Sequence, residues 1–207
     1  MVDFCSCTSK LDWLLLLVLL SQKDKNTDRE TGRCFSFLEL LEIYGVNRVM
    51  DLNSIELTTI SGEKTTFKAL AGKVTLVVNV ASKCGLTPQY EALETLYERY
   101  KDEGLVVLGL PSNTFLQELG KDADIQTFCS TNFGVKFPMT EKVAVNGPRR
   151  HALYKELTKV KDDAGLAGPV MWNFEKFLIL PDGSVKRFRP TTKPDDPRIT
   201  GLIEVNL

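Results

Sequence analysis

KVTLVVNVASKCGLTPQYEALETLYERYK, residues 73–101, changes its periodicity half-way along, and that change decides the fold. Its first nine residues form an apolar, β-branched run, which suits a strand covered on both faces. Beyond Cys84 the apolar positions Tyr90, Leu93, Leu96, Tyr97 and Tyr100 recur every three or four residues and share one side of a helix. Thr87 and Pro88 have the chemistry of an N-cap and a first helical position, and Gly104 that of a terminator. The next run, LVVLGL at 105–110, reads as a second buried strand. The unit is therefore β-α-β, and its two strands are expected to be parallel.

The flanking sequence extends this unit. SIELTTI and KTTF surround Ser61-Gly62 as an N-terminal β-hairpin, and KFLILPDGSVKRF (176–188) is a second hairpin turning on Asp182-Gly183. Helices are expected at about Ala123–Thr131, closed by Gly134, through RHALYKEL (150–157), and from about Arg198 to the end. Residues 50–207 thus read as one α/β domain. Residues 1–49 form an extension, in which the apolar LDWLLLLVLL precedes the charged linker SQKDKNTDRETGR. That leucine run has about half the roughly 20 residues needed to span a bilayer, and it reads as a signal-peptide core, a short helix or a membrane anchor beside CSC.

Charge narrows the function. With 26 basic and 27 acidic residues spread evenly over 207 positions, no stretch offers a polyanion or a polycation a face, and a nucleic-acid partner is not expected. Five scattered cysteines do not make a secreted disulfide framework, so a mostly reduced, cytoplasmic protein is expected. One histidine and no C-x-x-C leave no zinc spacing, and neither a metal nor an organic cofactor is expected. That histidine, His151, follows two arginines and reads as a solvated surface residue.

Cys84 is the chemical candidate. Only a thiolate is a good nucleophile, and an ordinary thiol is largely protonated at neutral pH. A position just ahead of a helix start, at the carboxyl end of a buried strand, brings unpaired N–H groups and the positive end of the helix dipole to that sulfur. Lys83 adds a cationic neighbour. The alternative is a buried structural cysteine.

NVASKCGLTPQYEALETLY, VNGPRRHALYKEL, WNFEKFLI and RFRPTTKPDD, in that order, resemble the cysteine-containing, thioredoxin-dependent type of glutathione peroxidase from about Ser54 to Thr200. The resemblance implies a thioredoxin-like fold, with a central mixed sheet flanked by helices. It also implies a thiol peroxidase that reduces hydrogen peroxide and organic or lipid hydroperoxides in the response to oxidative stress. It assigns the peroxidatic role to Cys84, with Gln117, Trp172 and Asn173 as its helpers, whose N–H groups can donate to the thiolate and the departing oxygen. Cys129, in DIQTFCSTNFG, matches the resolving cysteine, which condenses with a Cys84 sulfenic acid to a disulfide. Thioredoxin is the implied reductant and glutathione the alternative. The short TKVKDDAGLAGPVMW link resembles the monomeric members.

One loop departs from the pattern. The family reads roughly N-Q-F-x-x-Q-E-P-G where this chain has PSNTFLQELG, one residue shorter. Such a deletion is expected to displace the Gln117 amide, and a displaced amide would leave a weakened peroxidase or a peroxide sensor. Cys129 shares an apolar stripe with Ile125 and Phe128, so an inert buried thiol is the competing reading there. If it resolves, its short helix is expected to unwind locally.

Overall fold

A computed structural model of the chain describes residues 52–207. The apolar run, the polar linker and the remainder of the N-terminal extension lie outside the described residues.

The parallel pair forms as expected. β3 (Val74–Val80) lies beside β4 (Leu105–Pro111) in parallel register, from Val74 opposite Leu105 to Val80 opposite Pro111. All seven residues of β3 are buried, so this strand has no solvent face. β5 (Lys176–Ile179) pairs antiparallel on its other edge and β6 (Val185–Phe188) antiparallel beyond that, giving a mixed sheet in the order β4-β3-β5-β6. Asp182-Gly183 turns the second hairpin, with Gly183 at φ +79°. The first hairpin, β1 (Glu56–Thr58) with β2 (Lys64–Thr66), forms a separate antiparallel pair.

Alternation along β3 divides the core. Val74, Leu76, Val78 and Val80 face one layer with Tyr90, Leu93 and Leu96 of α2 (Gln89–Tyr100), Ile125 and Cys129 of α3 (Asp122–Phe133), and Ile199 and Ile203 of α5 (Pro197–Asn206). Val77 faces the other layer with Leu108, Phe177 and the buried Leu153, Tyr154 and Leu157 of α4 (Ala152–Leu157). A short turn of helix, α1 (Phe67–Leu70), leads from the hairpin into the sheet.

Two local expectations are corrected. α2 starts at Gln89 with Pro88 in the N-cap position, and Thr87 caps no helix. Its hydroxyl instead accepts the Cys84 N–H (3.0 Å) and donates to the Ala81 carbonyl (2.9 Å), because the residues after Cys84 already form tight turns that need an internal partner. His151 is half-buried, not solvated: its Nδ1 accepts the Leu153 N–H at 3.2 Å and caps α4, and burial lowers its pKa.

Gly72 sits where the chain enters β3, and a Cβ there would overlap the Gly104 carbonyl oxygen and crowd the Val106 backbone. Both neighbours are backbone atoms and cannot rotate away. Gly72→Ala is expected to lower stability by about 1–3 kcal/mol without changing the denaturant m-value, as measured by urea unfolding.

Candidate active site

Three loops converge at one end of the sheet. The segments after β3 and β4 leave the carboxyl ends of adjacent parallel strands, where α/β sheets place their ligands. β5 runs the other way, so the segment leading into it, Val170–Glu175, arrives at the same end. Cys84 stands on the first loop, Gln117 on the second, Trp172 and Asn173 on the third.

Cys84 is a free thiol, 7% exposed, and its Sγ accepts the Leu86 N–H at 3.4 Å. That backbone amide is the hydrogen-bond donor aimed at the sulfur. Backbone turns link Cys84 continuously to α2: Thr87 N–H donates to the Cys84 carbonyl at 3.0 Å and Tyr90 N–H to the Thr87 carbonyl at 3.0 Å. The sulfur therefore precedes a helical run, as the sequence indicates, although the cap is not Thr87.

Gln117 and Asn173 meet directly: the Asn173 Nδ2 donates to the Gln117 Oε1 at 2.8 Å. Asn173 is fully buried, and its Oδ1 has no hydrogen-bond partner among the described residues. The Gln117 carbonyl accepts the Lys83 N–H at 2.9 Å, so the glutamine is tied to the residue before Cys84. The orientation fixed by Asn173 leaves the Gln117 amide nitrogen available as a donor. Trp172 is 41% exposed and packs on Phe115, ring centroids 5.0 Å apart.

The shortened loop is closed by its backbone. Leu116 takes a left-handed φ of +61°, and its N–H donates to the Asn113 carbonyl at 3.0 Å. The Asn113 side chain in turn accepts the Glu118 N–H at 3.1 Å. Gln117 reaches Asn173 from this loop, whose left-handed turn puts strain at a leucine that is 85% exposed and gains little from packing.

Cys129 is 1% exposed on α3, in the same core layer as Cys84, and both thiols are free. Burial pushes its pKa up to about 11, partly offset by the neighbouring Tyr90 hydroxyl.

The known proteins to which the chain is similar can now be set beside this geometry. The family model described as glutathione peroxidase matches residues 52–158. The glutathione peroxidase of Lactococcus lactis subsp. cremoris is 47% identical over 149 residues, covering 71% of this chain and 94% of that protein. The chain belongs to the glutathione peroxidase family. With the family comes its reaction class, peroxidase oxidoreduction. Escherichia coli thioredoxin/glutathione peroxidase BtuE is 44% identical over 169 residues, covering 72% of this chain and 92% of its own. Among solved structures, the crystal structure of Trgpx in apo form is 35% identical with a TM-score of 0.58, covering 76% of this chain and 97% of that one. The thioredoxin-like fold is shared with both this structure and more distant thiol-disulfide proteins.

Two buried residues that the sequence reading does not single out hold the loops together. Asn79, the last residue but one of the apolar β3, donates from Nδ2 to the Trp172 carbonyl (3.1 Å) and accepts the Glu175 N–H at Oδ1 (3.0 Å). Its carbonyl accepts the Phe174 N–H (2.6 Å), and Phe174 stands at φ +65°. A lone amide in a strand buried on both faces must find partners, and that was the available signal. Glu118 accepts Ser82 N–H (3.1 Å) and Leu119 N–H (2.7 Å) at Oε1, bridging the cysteine and glutamine loops. Nothing in the periodicity around it marks that role.

Asn79→Ala is expected to slow oxidation of Cys84 by between about tenfold and about a hundredfold, because the Trp172–Asn173 segment loses its anchor, as read in stopped-flow with peroxide. Leu116→Gly, which removes the penalty of a left-handed side chain, is expected to raise stability by about 1 kcal/mol, checked by thermal and urea unfolding.

Proposed function

We propose that this chain is a thiol peroxidase that reduces hydrogen peroxide and organic or lipid hydroperoxides through Cys84, resolves the product with Cys129 and is re-reduced by thioredoxin. The observation that carries this reading is the placement of a free Cys84 thiol, with an amide N–H on its sulfur, at the same sheet end as the paired Gln117 and Asn173 and the half-exposed Trp172. Cys84 as a thiolate attacks the distal peroxide oxygen, the O–O bond breaks, and an alcohol or water leaves with one added proton. Gln117, Asn173 and Trp172 supply N–H donors for the charge that develops on the departing oxygen. Cys84 is left as a sulfenic acid.

The rim of the site is apolar. Leu116, Met171 and Trp172 are exposed around the loops, and an exposed apolar rim suits bulky hydrophobic hydroperoxides. Cys129 lies in the same layer of the core as Cys84, and a disulfide requires the two Cα atoms within about 7 Å, so local opening of α3 brings the sulfurs together. A disulfide product is reduced by thiol exchange, which favours a dithiol donor. The E. coli relative bears both thioredoxin and glutathione in its name. Such a cycle suits a reducing cytoplasm.

Consumption of NADPH coupled to thioredoxin and its reductase tests the proposal. Cys84→Ser is expected to abolish all turnover. Cys129→Ser is expected to abolish thioredoxin-driven turnover while leaving the single oxidation of Cys84 intact. A Cys129→Ser variant that turns over normally with thioredoxin would remove Cys129 from the cycle.

The two thiols are also expected to differ in reactivity. In the reduced protein at neutral pH, iodoacetamide should label Cys84 well before Cys129, whose thiol is buried and pushed up to about 11. Peptide mass analysis over time checks the order.

A further inference from the structure

The second and third loops touch twice. Besides the hydrogen bond from Asn173 to Gln117 at 2.8 Å, the Phe115 ring meets the Trp172 indole, with centroids 5.0 Å apart and planes tilted by 42°. That separation falls within the range of attractive aromatic pairs. The backbone beneath the indole is fixed at three successive residues. The Asn146 side chain accepts the Val170 N–H (2.9 Å) and donates to the Val170 carbonyl (2.8 Å), Glu175 accepts the Met171 N–H (2.7 Å), and Asn79 donates to the Trp172 carbonyl (3.1 Å).

Nothing comparable holds the indole. Trp172 is 41% exposed, its Nε1 makes no hydrogen bond among the described residues, and Phe115 is the ring that packs on it. Phe115 is anchored in turn. It is half-buried against the layer that contains Val145, Tyr154 and Phe177, and Thr114, the residue before it, accepts the Val145 N–H at its hydroxyl (3.1 Å). The phenyl ring therefore stands between a packed layer and a side chain with two torsions to settle. An indole N–H contributes to a reaction only while it points at the atom that gains charge, and a side chain divided among rotamers is so aimed for only part of its time.

We propose that Phe115 is a positioning residue for the peroxidase reaction, its ring holding the Trp172 indole with Nε1–H turned toward the departing peroxide oxygen. This inference rests on the reading of Trp172 as a donor to that oxygen. Phe115 then matters to the rate only while Trp172 has an N–H to aim.

A double-mutant cycle on the rate of Cys84 oxidation, read by rapid-quench mass analysis with one equivalent of peroxide, tests this. Phe115→Leu keeps an apolar side chain against the core and removes the ring, whereas Trp172→Phe keeps a ring against Phe115 and removes the N–H. The expected result is oxidation slowed about tenfold by Phe115→Leu and about a hundredfold by Trp172→Phe, with the double variant within about twofold of Trp172→Phe alone. Phe115→Tyr, which keeps the ring, is expected to stay within about twofold of wild type. Losses that multiply in the double variant overturn the proposal, because Phe115 then acts by a route other than the indole, and so does Phe115→Leu at the wild-type rate. Trp172→Phe at the wild-type rate overturns the reading of Trp172 itself. A second measurement needs no change at Phe115: Trp13→Phe leaves Trp172 as the one tryptophan of the chain, and its time-resolved fluorescence anisotropy is expected to show an indole held on the nanosecond timescale. An indole that turns freely in that protein overturns the proposal whether or not Phe115→Leu folds.

Discussion

Asn79 is the constraint on which the site depends. It occupies β3, seven residues buried on both faces, where an unpaired amide would be strongly destabilising. Its side chain and carbonyl are satisfied by the backbone of Trp172, Phe174 and Glu175, so the cost of burying an amide becomes the force that fixes the third loop. With that loop in place, Asn173 reaches Gln117, and Gln117 in turn is joined to the residue before Cys84. The three loops thereby form one unit, and moving any of them disturbs the other two.

Charge buried next to this unit reinforces it. Glu175 is fully buried, takes Arg187 Nε at 2.6 Å and Arg189 Nη1 at 2.9 Å, and accepts the Met171 N–H at 2.7 Å. A buried ion pair is a poor source of net stability, yet its partners are costly to separate. Here the geometry of the pair restrains the residue before Trp172. Arg187 also donates from Nη1 to the Val160 carbonyl and from Nη2 to the Pro169 carbonyl, so the segment between α4 and β5 is held at two points. Specific placement, more than stability, is what this network contributes.

The two cysteines show how environment separates one side chain into two chemistries. Cys84 lies in a turn, meets a backbone N–H and stands ahead of a helical run. Cys129 lies on the buried face of a helix, where desolvation holds the proton on sulfur. In the proposed cycle that difference sets the order of reaction, Cys84 meeting the peroxide first and Cys129 following once its helix opens.

The sequence by itself determined the elements and their order. The switch from a β-branched run to three-four spacing around Cys84 gave the parallel unit, and Asp182-Gly183 gave the second hairpin, because both signals are local. Through motifs carried in order it also offered Cys84, Gln117, Trp172, Asn173 and Cys129 as candidates, of which the structure brings Gln117 and Asn173 into direct contact. It misplaced the helix cap, since a threonine before a proline looks alike whether its hydroxyl serves the helix or the loop behind it. Only the tertiary structure decided how the shortened loop before Gln117 closes. Leu116 takes a left-handed conformation there, and backbone conformation of that kind is imposed by the ends of the loop and leaves no mark in composition. It likewise decided the roles of Asn79 and Glu118: Glu175 stands 96 positions from Asn79 and Ser82 stands 36 from Glu118, and they come into reach only when β5 is laid antiparallel against β3 and the β4 loop turns back on the cysteine loop.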